Sequence, residues 1–298
     1  MAMKRAALVT GLAVLCLAAS GGAGALTAGA AEPEGPPISA APAPKPAPAP
    51  FVPPPRTPQR PAESDEALYE RCLTLAKSDP DAARDLAEHW LSRGGAHPAD
   101  HCYAVALVGL KQYKEGATKL EALAQAMIHA PNSLRAEVLD QASQAWLLAG
   151  DSSRAYAADS AALNLLPGHP DILVDRAEAA GSEAWYDKAV EDLDRVLTAN
   201  PSRVDALIYR ASAYRELDKL DLALADIDRA VGLAPGSVSA LLERGDIRRL
   251  RGDIGGARQD WVKVSELAPG SAADAAAKTN IERLELKEDA AAPADVKR

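Results

Sequence analysis

The stretch LAPGS stands at residues 233–237 and returns at residues 267–271, thirty-four residues later. The same step connects proline at 167, 201, 235 and 269, alanine at 155, 189, 223 and 257, and leucine at 139, 173, 207 and 241. A fixed period of this length is typical of chains built from stacked units that contact only their neighbours. The period therefore predicts a solenoid.

Residues 204–237 show what one unit contains. Leu207, Ala211 and Tyr214 follow the i, i+4, i+7 spacing of one helical face. A second apolar stripe follows at 223, 227 and 230, and Pro235 then ends that helix. Each unit is predicted to be two antiparallel helices, and a single pair cannot bury its apolar stripe without stacked neighbours.

The turn between the two helices begins at Gly150, Ala184, Asp218 and Gly252 in successive units. Glycine, and to a lesser degree aspartate, tolerates the left-handed backbone that often ends a helix. Alanine does not, so the unit at 170–203 is predicted to have a slightly different turn.

These landmarks resemble the tetratricopeptide repeat, whose reference form has thirty-four residues. They are Leu207, Ala211, Tyr214, Ala223, Ile227, Ala230 and Pro235 in one unit, and Leu241, Gly245, Ala257, Trp261 and Pro269 in the next. The resemblance covers units at 136–169, 170–203, 204–237 and 238–271. It implies an all-α fold, a right-handed α-solenoid of stacked antiparallel helix pairs with a C-terminal capping helix. Arg176, Arg210 and Arg244 replace the usual leucine of the first helix, and Asp159 replaces a large side chain.

Helical patterning continues on both sides of the regular units. Residues 66–130 lack the period but predict two degenerate helical hairpins, with Pro80 in the first turn of a helix capped by Asp79. Residues 272–287 predict a capping helix that covers the last apolar stripe, and residues 288–298 a disordered tail.

The N-terminus predicts export. Lys4 and Arg5 precede an apolar stretch at 6–19 and a small-residue cleavage site at 28–30, so residues 1–31 are typical of a cleaved signal peptide. The alternative is an uncleaved anchor in the inner membrane. Residues 32–65 are rich in proline and alanine and predict a disordered, semi-rigid linker. We therefore expect a periplasmic or otherwise exported protein, with no membrane span after leader cleavage.

Two cysteines, Cys72 and Cys102, lie outside the leader. In an exported protein a disulfide between them is expected, and unpaired core cysteines are the alternative. A weaker hypothesis is a zinc site, because His97 and His101 stand beside Cys102 and could be joined by Cys72.

Motifs of catalysis are missing from the sequence, which contains no GxSxG, no Walker-type phosphate loop and no HExxH. We therefore expect no enzymatic activity and no cofactor. The net charge of −9 would repel phosphate, which argues against nucleic acid as a partner.

In tetratricopeptide-repeat proteins the first helices line a concave groove through the second, fifth, ninth, twelfth and thirteenth positions of each unit. The resemblance carries these positions onto Asp140, Gln144, Leu147, Leu148, Asp171, Val174, Glu178, Asp205, Ile208, Ser212, Arg215, Glu216, Leu242, Asp246, Arg249 and Leu250. Acidic and aliphatic side chains alternate there, which suits a neutral to basic protein segment. The alternative is that these residues form an ordinary solvated face.

Three functions remain open at this point. The first is an exported scaffold for protein–protein interaction in the cell envelope. The second is an accessory subunit of an envelope enzyme or of secretion or peptidoglycan machinery. The third is a metal- or ligand-binding protein that uses the region of His97, His101 and Cys102.

Overall fold

The computed structural model describes residues 63–291, with side chains to Leu284. The predicted leader, almost all of the predicted linker and the tail from residue 292 lie outside the described residues. Thirteen α-helices occupy the described range: α1 Asp65–Ser78, α2 Pro80–Ser92, α3 Ala96–Gly109, α4 Tyr113–Ala126, α5 Asn132–Leu148, α6 Ser152–Leu165, α7 Pro170–Ser182, α8 Tyr186–Ala199, α9 Val204–Glu216, α10 Leu220–Leu233, α11 Val238–Leu250, α12 Ile254–Leu267 and α13 Ala272–Ala291.

Each helix packs against the next one in the chain. The first helices of consecutive pairs also touch, so that α5, α7, α9 and α11 lie side by side. One buried cluster runs without interruption from Ala136 on α5 to Ile247 on α11. The helix α13 packs on α12 and α11 and covers the last apolar surface with Ala277 and Leu284. The predicted all-α solenoid of stacked antiparallel pairs with a capping helix is confirmed.

Two helix ends differ from the bounds expected from the sequence. The helix α5 begins at Asn132, four residues before the unit at 136–169. The helix α13 continues to Ala291, past the predicted end at residue 287. At α2 the expected capping is present: Pro80 is the first residue, and the Asp79 carboxylate accepts a hydrogen bond from the backbone N–H of Ala82.

The prediction that Ala184 changes the inter-helix turn is wrong. Its φ of 60° lies in the same left-handed region as the φ of Asp218 (59°), Gly150 (76°) and Gly252 (84°). After Ala184, the backbone N–H of Trp185 donates to the carbonyl of Ala180, and the equivalent bond, from a residue to the one five before it, closes the other three turns. The hydrogen-bonded turn imposes the conformation on alanine, and the backbone absorbs the strain.

Three arginines that depart from the repeat pattern link the two helices of their own pair through hydrogen bonds. Each guanidinium donates two hydrogen bonds of 2.6–2.9 Å to a carboxylate sixteen residues later on the second helix of its own pair: Arg176 to Asp192, Arg210 to Asp226 and Arg244 to Asp260. The remaining terminal nitrogen reaches sixteen residues back, to Ser160, Asp194 and Asp228 on the preceding pair. A planar contact with two parallel hydrogen bonds requires arginine at this position of the repeat, and leucine could not make it.

Cys72 on α1 and Cys102 on α3 form a disulfide, with Cα atoms 5.9 Å apart and both side chains fully buried. The two helices are the first helices of consecutive hairpins, and this parallel neighbourhood brings the cysteines within bridging distance. The bridge joins two hairpins in the part of the chain that lacks the regular period.

We predict that replacing both cysteines, Cys72→Ala with Cys102→Ala, lowers the free energy of unfolding by about 3 kcal/mol, because the bridge closes a long loop in the unfolded chain. Urea denaturation of the oxidised wild type and of the variant measures the difference. The control is reductant, which should destabilise the wild type and leave the variant unchanged. Equal masses of alkylated wild type with and without prior reduction would rule the bridge out.

We predict that Ala184→Gly raises the free energy of unfolding by about 0.5–1 kcal/mol, because the relief of left-handed strain exceeds the added entropy of the unfolded chain. Ala157→Gly, at an exposed position inside α6, is the matched control and should destabilise by about 1 kcal/mol. Thermal denaturation of both variants tests the pair. A loss of stability in both would contradict this account of the turn.

Candidate protein-binding groove

The surface formed by the first helices α5, α7, α9 and α11, here called the groove, carries the sixteen side chains that the repeat pattern selected. Fourteen of them are exposed or half-buried. Val174 and Ser212 are buried, and for these two the expectation of an open surface is wrong. Val174 belongs to the buried cluster that runs through the stacked pairs, and the Ser212 hydroxyl accepts a hydrogen bond from Arg215 at 3.5 Å.

Apolar side chains are exposed to solvent at two ends of the groove. Leu148 and Leu250, the last residues of α5 and α11, keep 38% and 45% of their surface exposed. Ile208 on α9 and Leu242 on α11 are half-buried. The C-termini of α5 and α11 therefore offer exposed aliphatic surface on the groove.

Polar side chains bridge each pair of neighbouring first helices. Gln144 donates to Asp175 at 2.9 Å, the Tyr209 hydroxyl donates to Glu178 at 2.7 Å, Arg215 donates to Glu243 at 2.7 Å, and Asn280 donates to Asp246 at 2.9 Å. These partners were not predicted from the sequence. Their separations of 31, 31, 28 and 34 residues cluster around one period, and that is the signal by which a search for polar pairs could have found them.

The bridging continues into the degenerate hairpins through one histidine. His101 is buried on α3, and its two ring nitrogens lie 2.8 Å from the Tyr69 hydroxyl and 2.6 Å from the Gln141 amide oxygen. Burial lowers the pKa of His101. The neutral ring thus joins α1, α3 and α5, and its nitrogens are engaged in structural hydrogen bonds.

The hypothesis of a zinc site at His97 and His101 finds no supporting geometry. The two cysteines proposed to join them form the disulfide, and the side chain of His97 is half exposed beside Asp100. In residues 63–284, no group of three or more His, Cys, Asp and Glu side chains is arranged to hold a metal ion.

Between α5 and α7 the groove holds a concentration of carboxylates. Burial, followed by the charge of Asp175, raises the pKa of Asp140 to about 7, and burial also raises the pKa of Asp175. Gln144 bridges them, with its amide nitrogen 3.3 Å from Asp140 and 2.9 Å from Asp175. The nearby Asp171 is held by Arg203 at 2.7 Å.

Beneath this junction lies Asp159, the residue that replaces a large side chain of the repeat. It is fully buried, and its Oδ2 accepts a hydrogen bond of 2.6 Å from the Ser143 hydroxyl. Burial raises the pKa of Asp159 to about 9. The departure from the repeat pattern therefore places a proton-holding carboxyl group inside the helix pair rather than leaving a cavity.

No helix within the described range is both long and apolar enough to cross a membrane. This finding covers residues 63–291 and does not reach the N-terminal apolar stretch.

Comparison with known proteins supports the fold. No protein-family model matches the chain, and no curated protein matches it in sequence. Among solved structures, a tetratricopeptide-repeat protein from Parabacteroides merdae has a TM-score of 0.64 and 16% identity, over 76% of this chain and 88% of its own. A thermophilic tetratricopeptide-repeat protein in Thermus thermophilus has a TM-score of 0.51 and 18% identity, over 64% of this chain and 100% of its own.

The class of protein is therefore defined by its architecture, an α-solenoid of helix pairs. More specifically, the chain has the tetratricopeptide-repeat fold, as the landmarks of its repeating units implied. At these identities the similarity concerns the fold alone.

The carboxyl groups of the groove predict how the free energy of unfolding depends on pH. Groups whose pKa is raised by folding, such as Asp140 (about 7) and Asp246 (about 6), stabilise the folded state at low pH, and that contribution is lost as the pH rises through the raised pKa. The wild-type free energy of unfolding should therefore fall between pH 6.5 and 8. His101, whose pKa is lowered by burial, opposes this fall at the lower end of the window, where the unfolded imidazole with its ordinary pKa of about 6.5 still binds protons.

We predict that Asp140→Asn makes this fall shallower, while the buried Asp159, with its pKa of about 9, sustains the remainder. The variant should raise the stability at pH 8 by about 1–2 kcal/mol, a figure reduced for the partial solvent screening of a half-buried group. The other groups that face Asp140 are Glu137, Asp171 and Asp175, and all remain in the variant. Urea denaturation at several pH values measures the slope. Asp187→Asn, at a highly exposed position on α8, controls for the loss of one charge; identical slopes in wild type and Asp140→Asn would contradict the assignment.

Proposed function

We propose that this protein is an exported, non-catalytic scaffold of the cell envelope that holds a segment of another protein against its groove. The observation that carries the proposal is the exposed aliphatic surface of Leu148 and Leu250 at the C-terminal ends of α5 and α11, together with the exposed carboxylates of Asp171 and Asp205 at the N-terminal ends of α7 and α9. An extended or helical segment with apolar anchors and a neutral to basic character matches both features.

Export is proposed from the sequence of the leader. Lys4 and Arg5, the apolar stretch at 6–19 and the small residues at 28–30 support a signal peptide. The disulfide between Cys72 and Cys102 fits an oxidising compartment such as the periplasm.

The absence of catalysis is proposed from the placement of the reactive groups. Ser143 and Asp159 form a hydroxyl–carboxyl pair, but both side chains are completely buried, so no substrate can reach the hydroxyl. Asp140 and Asp175 lie at a helix junction where Gln144 holds both carboxyl groups. In the described part of the chain these raised pKa values follow from helix packing, and no accessible nucleophile accompanies them.

We predict that a photoreactive amino acid at Leu148 or Leu250 of the full-length protein crosslinks a partner protein in the intact host cell, because both positions lie open in the groove. Matched controls are Leu222 and Val262, which are as exposed (50% and 44%) but lie on the second helices α10 and α12. Gel shifts followed by mass spectrometry identify the adducts. Adducts of equal strength from the control positions, or none from the groove, would overturn the proposal.

The identity of the crosslinked protein also separates the two protein-binding roles. A single enzyme recovered in equal amount would assign the protein as an accessory subunit of that enzyme. Several structural or assembly proteins of the envelope would assign it as a general scaffold.

A further inference from the structure

A cavity of about 550 Å³ opens between the second helices α2 and α4, and α3 contributes to its wall. This volume lies within the range of about 300–1,000 Å³ that is typical of ligand pockets. The wall combines two aliphatic side chains, one aromatic ring, two carboxylates and one ammonium group, which belong to Leu91, Leu123, Tyr103, Glu88, Asp100 and Lys119. The three charged residues are exposed, so the cavity is accessible from solvent.

The cavity lies at a position where the regular pairs place an arginine. In those pairs the arginine stands eight residues before the left-handed residue of the inter-helix turn, as Arg210 does before Asp218 (φ 59°). Counted in the same way from Lys111 (φ 63°), the equivalent residue of α3 is Tyr103. Lys119, sixteen residues further on, takes the place of the paired aspartate, and its ammonium lies 5.8 Å from the centroid of the Tyr103 ring. A ring and a cation therefore replace the ion pair of the regular units.

This replacement leaves the gap between α2 and α4 without a link. Arg210 bridges the equivalent gap between α8 and α10, because it donates to Asp194 at 2.6 Å and to Asp226 at 2.7 Å. In residues 63–284, no hydrogen bond or ion pair joins α2 to α4, and neither Glu88 nor Lys119 forms one with any other residue. The Glu88 carboxylate and the Lys119 ammonium are thus available to a ligand.

The chain itself shows what such a set of side chains can hold. The buried indole of Trp146 donates its Nε1–H to Glu121 at 2.9 Å, and the Arg154 guanidinium lies 3.8 Å from the ring centroid. The buried indole of Trp90 likewise donates to Asp65 at 3.1 Å. A carboxylate satisfies the polar edge of an indole and a cation is attracted to its face, while apolar neighbours bury the rest of the ring.

The cavity offers the same three components on three adjacent helices. Carboxylates are present at Glu88 on α2 and Asp100 on α3, a cation is present at Lys119 on α4, and Leu91 and Leu123 supply apolar surface. An aliphatic ligand would leave these charged groups without a partner, and a strongly charged ligand would be repelled by one sign or the other. An indole is neutral, has one N–H donor and has an electron-rich face, so it matches all three components.

We propose that this cavity binds a tryptophan side chain of a partner protein. The indole N–H donates to a carboxylate at Glu88 or Asp100, and the ring lies against the Lys119 ammonium. Because the charged rim is exposed, the backbone of the partner can remain outside while the ring enters. None of the sixteen groove residues lines this cavity, so the site is a second contact surface and does not depend on the proposed function of the groove.

The test uses capped amino acids as probes on the purified, oxidised full-length protein. Nα-acetyl-tryptophan amide is titrated while backbone amide NMR shifts are recorded, and its 1-methylindole analogue and Nα-acetyl-leucine amide are titrated in parallel. We expect saturable shifts confined to amides of α2, α3 and α4. Both comparison probes should bind about fivefold more weakly, because one lacks the N–H donor and the other lacks the ring. Shifts spread over many helices, or an equal affinity for either comparison probe, would overturn the site.

Free tryptophan separates the two sources of an indole. If the cavity serves a partner protein, free tryptophan should bind no more tightly than the capped probe, because the site makes no use of its charged ammonium and carboxylate groups. Markedly tighter binding of free tryptophan would assign the cavity to a small molecule and overturn the partner site.

Matched variants on α4 make the test specific. Ala122→Trp fills the cavity with an indole of the chain itself and should abolish binding of the capped tryptophan probe, whereas Thr118→Trp, at an exposed position outside the cavity, should not. Lys119→Gln removes the cation and should weaken binding about threefold, whereas Lys114→Gln, also exposed and outside the cavity, should leave it unchanged. Unaltered binding in either cavity variant, or an equal loss in its control, would contradict the assignment.

Discussion

The contact between side chains sixteen residues apart holds each helix pair together, and the solenoid depends on it. At one pair of equivalent positions in the repeat, the two side chains are complementary in size. Gly245 faces Trp261, and the equivalent pairs are Ala211 with Ile227 and Ala177 with Leu193, all buried. A Cβ atom at Gly245 would overlap the Trp261 indole. Because this contact has no spare volume, a larger side chain on the second helix requires a smaller one on the first.

At a second pair of equivalent positions in the repeat the contact is ionic, and the two residues change together from one unit to the next. Three units pair an arginine with a buried aspartate, whereas the first unit has alanine at both places, Ala142 and Ala158, both buried. Leaving either charged partner without the other would strand a charge inside the protein, which is strongly destabilising. The first unit instead places its polar pair, Ser143 with Asp159, in the column of size-matched side chains. Each departure from the repeat pattern is thus compensated by the residue sixteen positions away.

The sequence predicted the architecture because the features that determine it repeat. The period, the proline stops and the left-handed turn positions are local and recur four times, so they were recognisable from the residues alone. Ala184 was misjudged because its conformation is imposed by the hydrogen bond from Trp185 to Ala180 and not by its own preference. The early start of α5 at Asn132 was missed because the unit boundary follows the period, whereas the helix begins just after Pro131.

The candidate groove was predictable in position but not in its internal pairing. The repeat pattern located its residues, yet it did not reveal that Val174 and Ser212 are buried, because burial depends on the packing of neighbouring side chains in the folded chain. Bridges such as Gln144 with Asp175 join side chains 31 residues apart. Such pairs depend on side-chain reach across two helices, which a one-dimensional pattern does not contain. His101 is a similar case, since its partners Tyr69 and Gln141 lie 32 and 40 residues away in opposite directions.

The hydrogen bonds between neighbouring first helices also determine which groups of the groove a partner can contact. A groove whose polar groups hydrogen-bond to one another presents few unmet donors or acceptors, so most of its polar residues contribute shape and stiffness rather than binding energy. Binding energy must then come from the exposed aliphatic side chains of Leu148 and Leu250. These two leucines lie on α5 and α11, at opposite ends of the row of first helices α5, α7, α9 and α11. A short ligand could engage one of them, but only an extended segment that spans several first helices could engage both.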